Sequence, residues 1–529
     1  MKVATACLQC RKGKRKCGKS SAGIACPQCT SRGIQCSSSS LRGTTTPKNS
    51  RLRPAAGKHE QFPFKPNQLP PMEVTMEVVD LYISYIHDKP HSLFHEPSLR
   101  KSAEDGTLSE RCYLAFLVSL PARFSSNKDV QQHGHVWATS ARELVRNDIE
   151  NACIENIQAC ILAGNICLAN SQPDSESIFF AVANRMAEIL KLPRLNAADN
   201  PVTVEIKRRV WWSLFMIDRW ASAGLGLARQ IHVSDEAPPL PMDEVQFRLL
   251  VPSHGSETFR EWNPGIWSHM IALVKIFGDI QDFNKMLVEA VDWKEDHIES
   301  RVLHFADMLT SFERDLPSTM SFSPENLNIQ LNRGVGRAFV ALHLGYHHYA
   351  TLLYYQYLDQ RRPSTPTKRI FTERCKYHAI AFCELIRLSA EQGEAEALHN
   401  VVGHMTVVSS SVLLHTLLLG TDKELPMARQ RLESNFEFLV RLREIWPSVD
   451  VMMKRLITFQ NECLRTAQLG THRFDKWMLK FLLQHALSLD EHDSLQSNEF
   501  FIQSSIEDER LLQRSRVTGT ILGALPQMT

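Results

Sequence analysis

The sequence predicts a mostly α-helical chain, with a small cysteine-rich module followed by a disordered linker and a large all-α domain. Three observations predict it. Six cysteines fall between Cys7 and Cys36. Residues 37–72 are rich in Ser, Thr and Pro and show no apolar period. From about Val74 apolar residues return at helical spacing, with no comparable alternating run to suggest strands. The expected divisions are a module at 1–40, a linker at 41–73, a helical domain at 74–486 and an acidic segment at 487–529.

The module comes first. Its cysteines read Cys7-x2-Cys10-x6-Cys17-x8-Cys26-x2-Cys29-x6-Cys36, two similar halves, each a C-x2-C with a third cysteine seven residues later. The x2 spacing lets two thiolates on one turn reach a common ion. Six thiolates are too few for two separate tetrahedral zinc sites, so two of them must bridge a pair of Zn2+ ions. The first residues lack the apolar core of a secretory signal, and in a reducing compartment clustered cysteines bind metal more often than they form disulfides. A segment this short cannot bury a core, so the metal would supply its folding free energy.

The charge is segregated. The whole chain carries +2, yet Met1 to Lys58 holds thirteen Lys or Arg and no acid, leaving −11 for the other 471 residues. Arg11, Lys12, Lys14, Arg15 and Lys16 stand between Cys10 and Cys17, and Lys19 follows. Such a run suits an import signal. Held on a rigid helix, it also suits double-stranded DNA, with some cations on phosphates and one or two reaching guanine edges in the major groove.

The linker has prolines at 47, 54, 63, 66, 70 and 71 and no consecutive apolar heptads, so no coiled coil forms there. The chain is then expected to bind DNA as a monomer, or as a homodimer joined through the helical domain. In that domain four stripes support helices: Val79, Tyr82, Ile83, Ile86; Ile154, Ile157, Ile161, Leu168; Ile178, Val182, Met186, Ile189; and Ile206, Val210, Leu214, Ile217. Breaks are expected at Pro193, at Pro238 to Pro241 and at Arg361 to Arg369. Val401 to Gly420 lacks formal charge, but its His, Thr and Ser residues favour a buried helix over a membrane span. Cys153, Cys160 and Cys167 share a helical stripe and read as packing residues; His133 and His135, beside Gly134, read as a surface loop. Trp211 and Trp212 read as core aromatics, and Arg208, Arg209, Asp218 and Arg219 as ion pairs that fix helix packing.

Leu487 to Glu509 holds seven acids, no Lys or Arg, and interleaved Leu, Phe and Ile. This composition suits a segment that recruits transcription co-activators, and equally a solvated tail with one short docking helix.

Cys7 to Cys36, with all six ligands and both half-motifs, resembles the fungal Zn2Cys6 binuclear cluster. The resemblance implies that Cys7 and Cys26 bridge the ions, Cys10 and Cys17 complete one site, and Cys29 and Cys36 the other. It implies a first helix docked on a CGG triplet, with Lys14 as the base-reading lysine. Two departures stand out: Gly13 replaces a long polar side chain, and Pro27 follows the fourth cysteine where the family has proline before it. The body resembles the fungal-specific transcription factor domain over roughly residues 74 to 300. Val79-Asp80-Leu81-Tyr82 running to Leu93-Phe94-His95-Glu96-Pro97, Ala183-Asn184-Arg185-Met186-Ala187, and Arg208-Arg209-Val210-Trp211-Trp212 with Asp218-Arg219 carry the likeness. Leu225-Gly226-Leu227-Ala228-Arg229 departs from the Leu-Gly-Arg-Pro of the family and implies a local change in that turn.

The expected function is therefore a nuclear, sequence-specific regulator of RNA polymerase II transcription acting on a metabolic or biosynthetic gene set. The alternative is a zinc-dependent protein- or RNA-docking scaffold. No H-E-x-x-H, G-x-S-x-G, Walker lysine loop or D-D-x-x-D occurs, so no enzyme activity and no catalytic residue is expected.

Overall fold

Helices begin where capping chemistry starts them. The computed structural model describes residues 17, 26–32, 72–89, 91–107, 120–192, 194, 199–232, 237–253, 263–290, 294–359, 362, 365–468 and 476–487, with backbone alone at 120, 464–468 and 476. Among these residues the secondary structure is helical, apart from two isolated bridges, His87 with His91 and Met242 with Pro264. The chain divides into two units, Met1–Lys65 and Pro66–Thr529. In the first, α1 is the single turn Pro27–Thr30.

The second unit begins with α2 (Met72–Tyr85), α3 (Glu96–Glu104), a 3-10 turn (Leu120–Phe124) and α4 (Lys128–Asn147). It continues through α5 (Ile154–Ala169), α6 (Pro173–Ile189), α7 (Pro201–Leu225), α8 (Glu244–Leu249) and α9 (Ile266–Glu289). Then follow α10 (Glu295–Asp315), α11 (Pro324–Asn332), α12 (Gly336–Tyr354), α13 (Pro366–Glu391), α14 (Asn400–Leu419), α15 (Leu425–Ile445), α16 (Val449–Gln468) and α17 (Lys476–Leu483). Prolines sit in the first turns of α6, α7, α11 and α13, where the missing N–H is an orphan in any case. Asn200 Oδ1 accepts the Thr203 N–H at 3.0 Å to cap α7. Gly226, at φ 68°, ends that helix in the left-handed conformation that an L side chain resists. Its neighbour Arg229 then reaches Asp282 on α9 at 2.9 Å.

Three of the four expected stripes face the core. Val79, Tyr82, Ile157, Ile161, Val210 and Leu214 are all buried. The stripe on α6 does not hold: Ile178 and Ile189 are each 61% exposed, and of its four residues only Met186 is buried. This helix carries a second apolar face, Phe179, Phe180, Ala183 and Ala187, and that face packs on α5. Phe180 lies where a Cβ on Gly164 would stand 2.3 Å away, so only glycine admits the ring. The aromatic pair brings more area to the interface than two isoleucines, and α6 turns accordingly.

His133 and His135 do not form a surface loop. They lie on α4, where His133 is buried, bonded through Nδ1 to the Asp129 carbonyl at 2.6 Å and packed near Trp137. The flanking helical pattern from Val130 to Val145 outweighs the breaking tendency of Gly134. Cys160 and Cys167 are buried as expected, and burial pushes the Cys160 thiol up to about 12, far from a reactive thiolate.

The central helix is α14. It is long and apolar enough to cross a membrane, yet 89% of its apolar window lies inside the protein, packed by α12, α13, α15 and α16. Its serines find partners: Ser409 donates to the Ala379 carbonyl at 2.9 Å, Ser411 meets Tyr355 Oη at 2.7 Å, and Asn435 donates to Ser410 at 3.0 Å.

Beside α14, His348, His404 and His485 cluster, with the last two stacked at 4.2 Å. Burial pushes His348 down to about 3 and His485 to about 4, and drives His404 well below the ordinary 6.5. Groups lowered on folding stabilise the protein above their unfolded value and lose that contribution as pH falls through 6.5 toward the folded values. The His348 and His485 shifts are each worth roughly 3–5 kcal/mol when fully lost, and the His404 shift acts in the same direction. The thermal midpoint followed by helical circular dichroism is therefore expected to fall steadily from pH 6.5 to pH 4.5. A flat midpoint over that range would mean the cluster accepts protons without penalty.

Candidate metal centre and nucleic-acid interface

In the first unit the described residues include three of the six cysteines, Cys17, Cys26 and Cys29. Cys26 is extended, at φ −69° and ψ 148°, and precedes α1. Pro27 follows at N1, where its ring presets the helical φ, so the proline on this side of the cysteine starts the turn. The Cys26 carbonyl accepts the Cys29 N–H at 2.9 Å, the Thr30 N–H at 3.1 Å and the Thr30 hydroxyl at 3.1 Å. One tight turn thus carries both cysteines of the second C-x2-C. Each is 1% exposed, and Cys17 is half-buried. Cys7, Cys10 and Cys36 lie outside the described residues, as do Arg11, Lys12, Lys14, Arg15, Lys16 and Lys19.

Two buried cysteines on one turn, in a segment too short to bury a core of its own, fit thiolate ligation of zinc. Among the described residues no three His, Cys, Asp or Glu side chains form a metal-holding group. In a cluster with the shared ligands set out above, each ion would take only two of Cys17, Cys26 and Cys29.

In the second unit the quoted motifs build one buried polar network. Arg209, fully buried, pairs through Nε with Glu205 at 2.9 Å, donates to Ser92 Oγ at 2.8 Å and to the Met242 carbonyl at 2.6 Å, and lies 4.3 Å from the Phe247 ring centroid. Glu205 also receives Arg208 at 2.7 Å and the Met242 N–H at 3.0 Å. These contacts tie α7 to the turn before α3 and to the segment leading into α8. A second node is Asp218, whose carboxylate accepts the Gln230 and Ile231 N–H groups at 2.9 and 3.0 Å and pairs with Arg219 at 3.2 Å. It holds the chain that leaves Gly226 against α7. The ion-pair reading of these four residues is what the structure contains.

Trp211 and Trp212 are both buried and meet edge to face at 4.6 Å, and the Trp212 indole donates to the Pro239 carbonyl at 3.0 Å. They are core aromatics. Sequence reasoning missed Ser92, Glu205 and Glu244. Glu244 accepts the first two N–H groups of α9, from Ile266 and Trp267 at 3.1 and 2.8 Å, and a Cβ on Gly265 would stand 2.3 Å from its oxygen. Glu205 lies four residues before Arg209, a spacing that could have flagged it. No local signal marks Ser92 or Glu244, whose partners are remote in sequence.

Comparison with known proteins follows the same two parts. Residues 5–44 match the model of the fungal Zn(2)-Cys(6) binuclear cluster domain. Residues 79–331 match that of the fungal specific transcription factor domain, so the match extends past the expected limit near residue 300. Similar curated proteins include the Zn(2)-C6 fungal-type transcription factor FTF2 of Fusarium oxysporum f. sp. lycopersici, 21% identical over 79% of this chain and 42% of its own length. The transcription factor FTF1c of the same fungus is 21% identical over 82% of this chain and 50% of its own. An uncharacterized transcriptional regulatory protein of Schizosaccharomyces pombe is 22% identical over 75% and 54%. The chain spans about half the length of the curated relatives it matches.

Proposed function

We propose a function from one premise: the chain belongs to the fungal Zn(2)-Cys(6) transcription factors, with a binuclear cluster domain ahead of a fungal specific transcription factor domain. On that premise it acts in the nucleus as a sequence-specific DNA-binding regulator of transcription, in a family that is regulatory and generally non-enzymatic. Two zinc ions held by Cys7, Cys10, Cys17, Cys26, Cys29 and Cys36 would supply rigidity and charge neutralisation for the thiolates, with no open position for catalysis. The observation that carries the reading is the turn that brings buried Cys26 and Cys29 together, within a pattern whose other half runs straight into five cations.

Lys14 falls on the family's base-reading position, so this chain is expected to prefer CGG-like triplets, with Arg11, Lys12, Arg15, Lys16 and Lys19 on the backbone phosphates. The helical unit, from about residue 74 to 486, then serves as the regulatory domain, and the acidic 487–529 segment as a contact for co-activators.

Binding of the full-length protein to a CGG duplex and to one with a mutated triplet tests this. Lys14→Ala is expected to narrow the difference between the two by roughly 1–3 kcal/mol, the value of one good base contact. Lys19→Ala is expected to weaken both equally and to reduce the salt dependence. Zinc-dependent binding without triplet preference would favour the docking-scaffold alternative.

A further inference from the structure

A cavity in the helical unit is lined by none of the residues of the Arg209 and Asp218 networks. α5, α6, α7, α14 and α16 contribute to its walls. Glu176, in the first turn of α6, faces it. Glu176 is 3% exposed as a residue, and its carboxyl has no hydrogen bond or ion pair among the described residues. Asn400 gives its amide N–H to Ser448 at 2.8 Å, while its Oδ1 is buried without a donor. His91 lines the same cavity with a buried, unpartnered Nδ1. Phe180 and Trp220 complete the aromatic part of the wall, and no Lys or Arg is among the described lining residues.

Unmet acceptors beside aromatic faces, with no cation of the protein present, suit a bound cation. A carboxyl and a buried amide oxygen that no protein donor reaches call for a donor from outside the chain, and an ammonium with three N–H donors meets that need. The rest of the ligand is set by the neighbouring space. Trp220, His399 and Val401 also wall a second, narrow cavity, lined largely by apolar groups such as Met270, Leu344 and Met405. Lys89 and Arg337 line that second cavity, and they repel an ammonium from it. We infer that the helical unit binds a primary amine with a slender apolar tail, its ammonium paired with Glu176 and its tail in the second cavity. Asn400 Oδ1 and the face of Trp220 complete the head-group site.

Proton balance gives this binding a signature. Burial pushes the Glu176 carboxyl up to about 8, so at pH 7 it is mostly protonated in the empty protein. The other titratable groups on the cavity, His91, His399 and His485, are pushed down to about 3, 4 and 4 by burial and stay neutral. Pairing with an ammonium ionises Glu176, and its proton passes to the buffer. The site concerns the helical unit alone and stands or falls independently of DNA recognition.

The experiment uses the full-length protein with n-hexylamine, hexan-1-ol and hexanoate as probes, read by thermal shift and by titration calorimetry in two buffers of different ionisation enthalpy. The amine is expected to raise the unfolding midpoint and to release close to one proton per site at pH 7, and the alcohol and the carboxylate to do neither. Glu176→Gln, which keeps shape and removes the charge, is expected to lower amine affinity at least tenfold. Equal stabilisation by the alcohol, absence of proton release in the wild type, or full amine affinity in Glu176→Gln would each overturn the proposal. The wild-type comparisons decide the matter even if the variant fails to fold.

Discussion

Removing zinc from the full-length chain is expected to abolish triplet-selective DNA binding while leaving the helical circular dichroism almost unchanged. A module of about forty residues has too little apolar surface to fold alone. Structural zinc supplies on the order of 10 kcal/mol in small fingers, so a chelator that wins the metal unfolds the module. The body has a large apolar core of its own, in which Trp137, Trp212, Trp267 and Trp446 are all fully buried, and the described helices lie almost entirely in it. Zinc content before chelation is expected to be about two ions per chain. Cys26→Ser and Cys29→Ser are each expected to reproduce the loss of selective binding with the body intact. Collapse of the helical signal on chelation would move the metal into the body. Unchanged binding without metal would remove zinc from the mechanism.

The second large effect is expected from Arg209→Met, at about 3–5 kcal/mol of body stability by urea unfolding, the usual cost of breaking a buried ion pair from one side. Removal of the guanidinium leaves Glu205 buried, and strips Ser92 and the Met242 carbonyl of a donor. Arg208→Ala removes a more accessible partner of the same carboxylate and is expected to cost about 1 kcal/mol. Arg209→Met combined with Glu205→Gln should recover part of the loss, because the second change removes the stranded charge. A cost below 1 kcal/mol for Arg209→Met would show that the network is not what holds α7 to its neighbours.

Much of this architecture was legible in residue order. Helical spacing placed Val79 and Tyr82, Ile157 and Ile161, and Val210 and Leu214 toward a core, and they are buried. Periodicity works there because each of those helices has one dominant apolar stripe. On α6 it misleads, because Ile178 and Ile189 and the pair Phe179 and Phe180 form two competing faces, and packing area on α5 chooses between them. The same limit explains His133: a glycine between two histidines reads locally as a break, whereas burial of Val130, Trp137 and Ala141 keeps α4 continuous through it.

By itself the sequence determined the class of the protein. Six cysteines at ligand spacing beside a cationic run mark a zinc-cluster module, because ligand number, spacing and charge are local properties that survive without a fold. Helical spacing likewise specifies an all-α body. Tertiary structure alone decided which apolar face of α6 is inside, which groups surround Arg209, and that Glu176 and Asn400, far apart in the chain, face one cavity. Those outcomes depend on which surfaces exclude water together, and burial and hydrogen-bond satisfaction are summed over neighbours that the order of residues does not bring together.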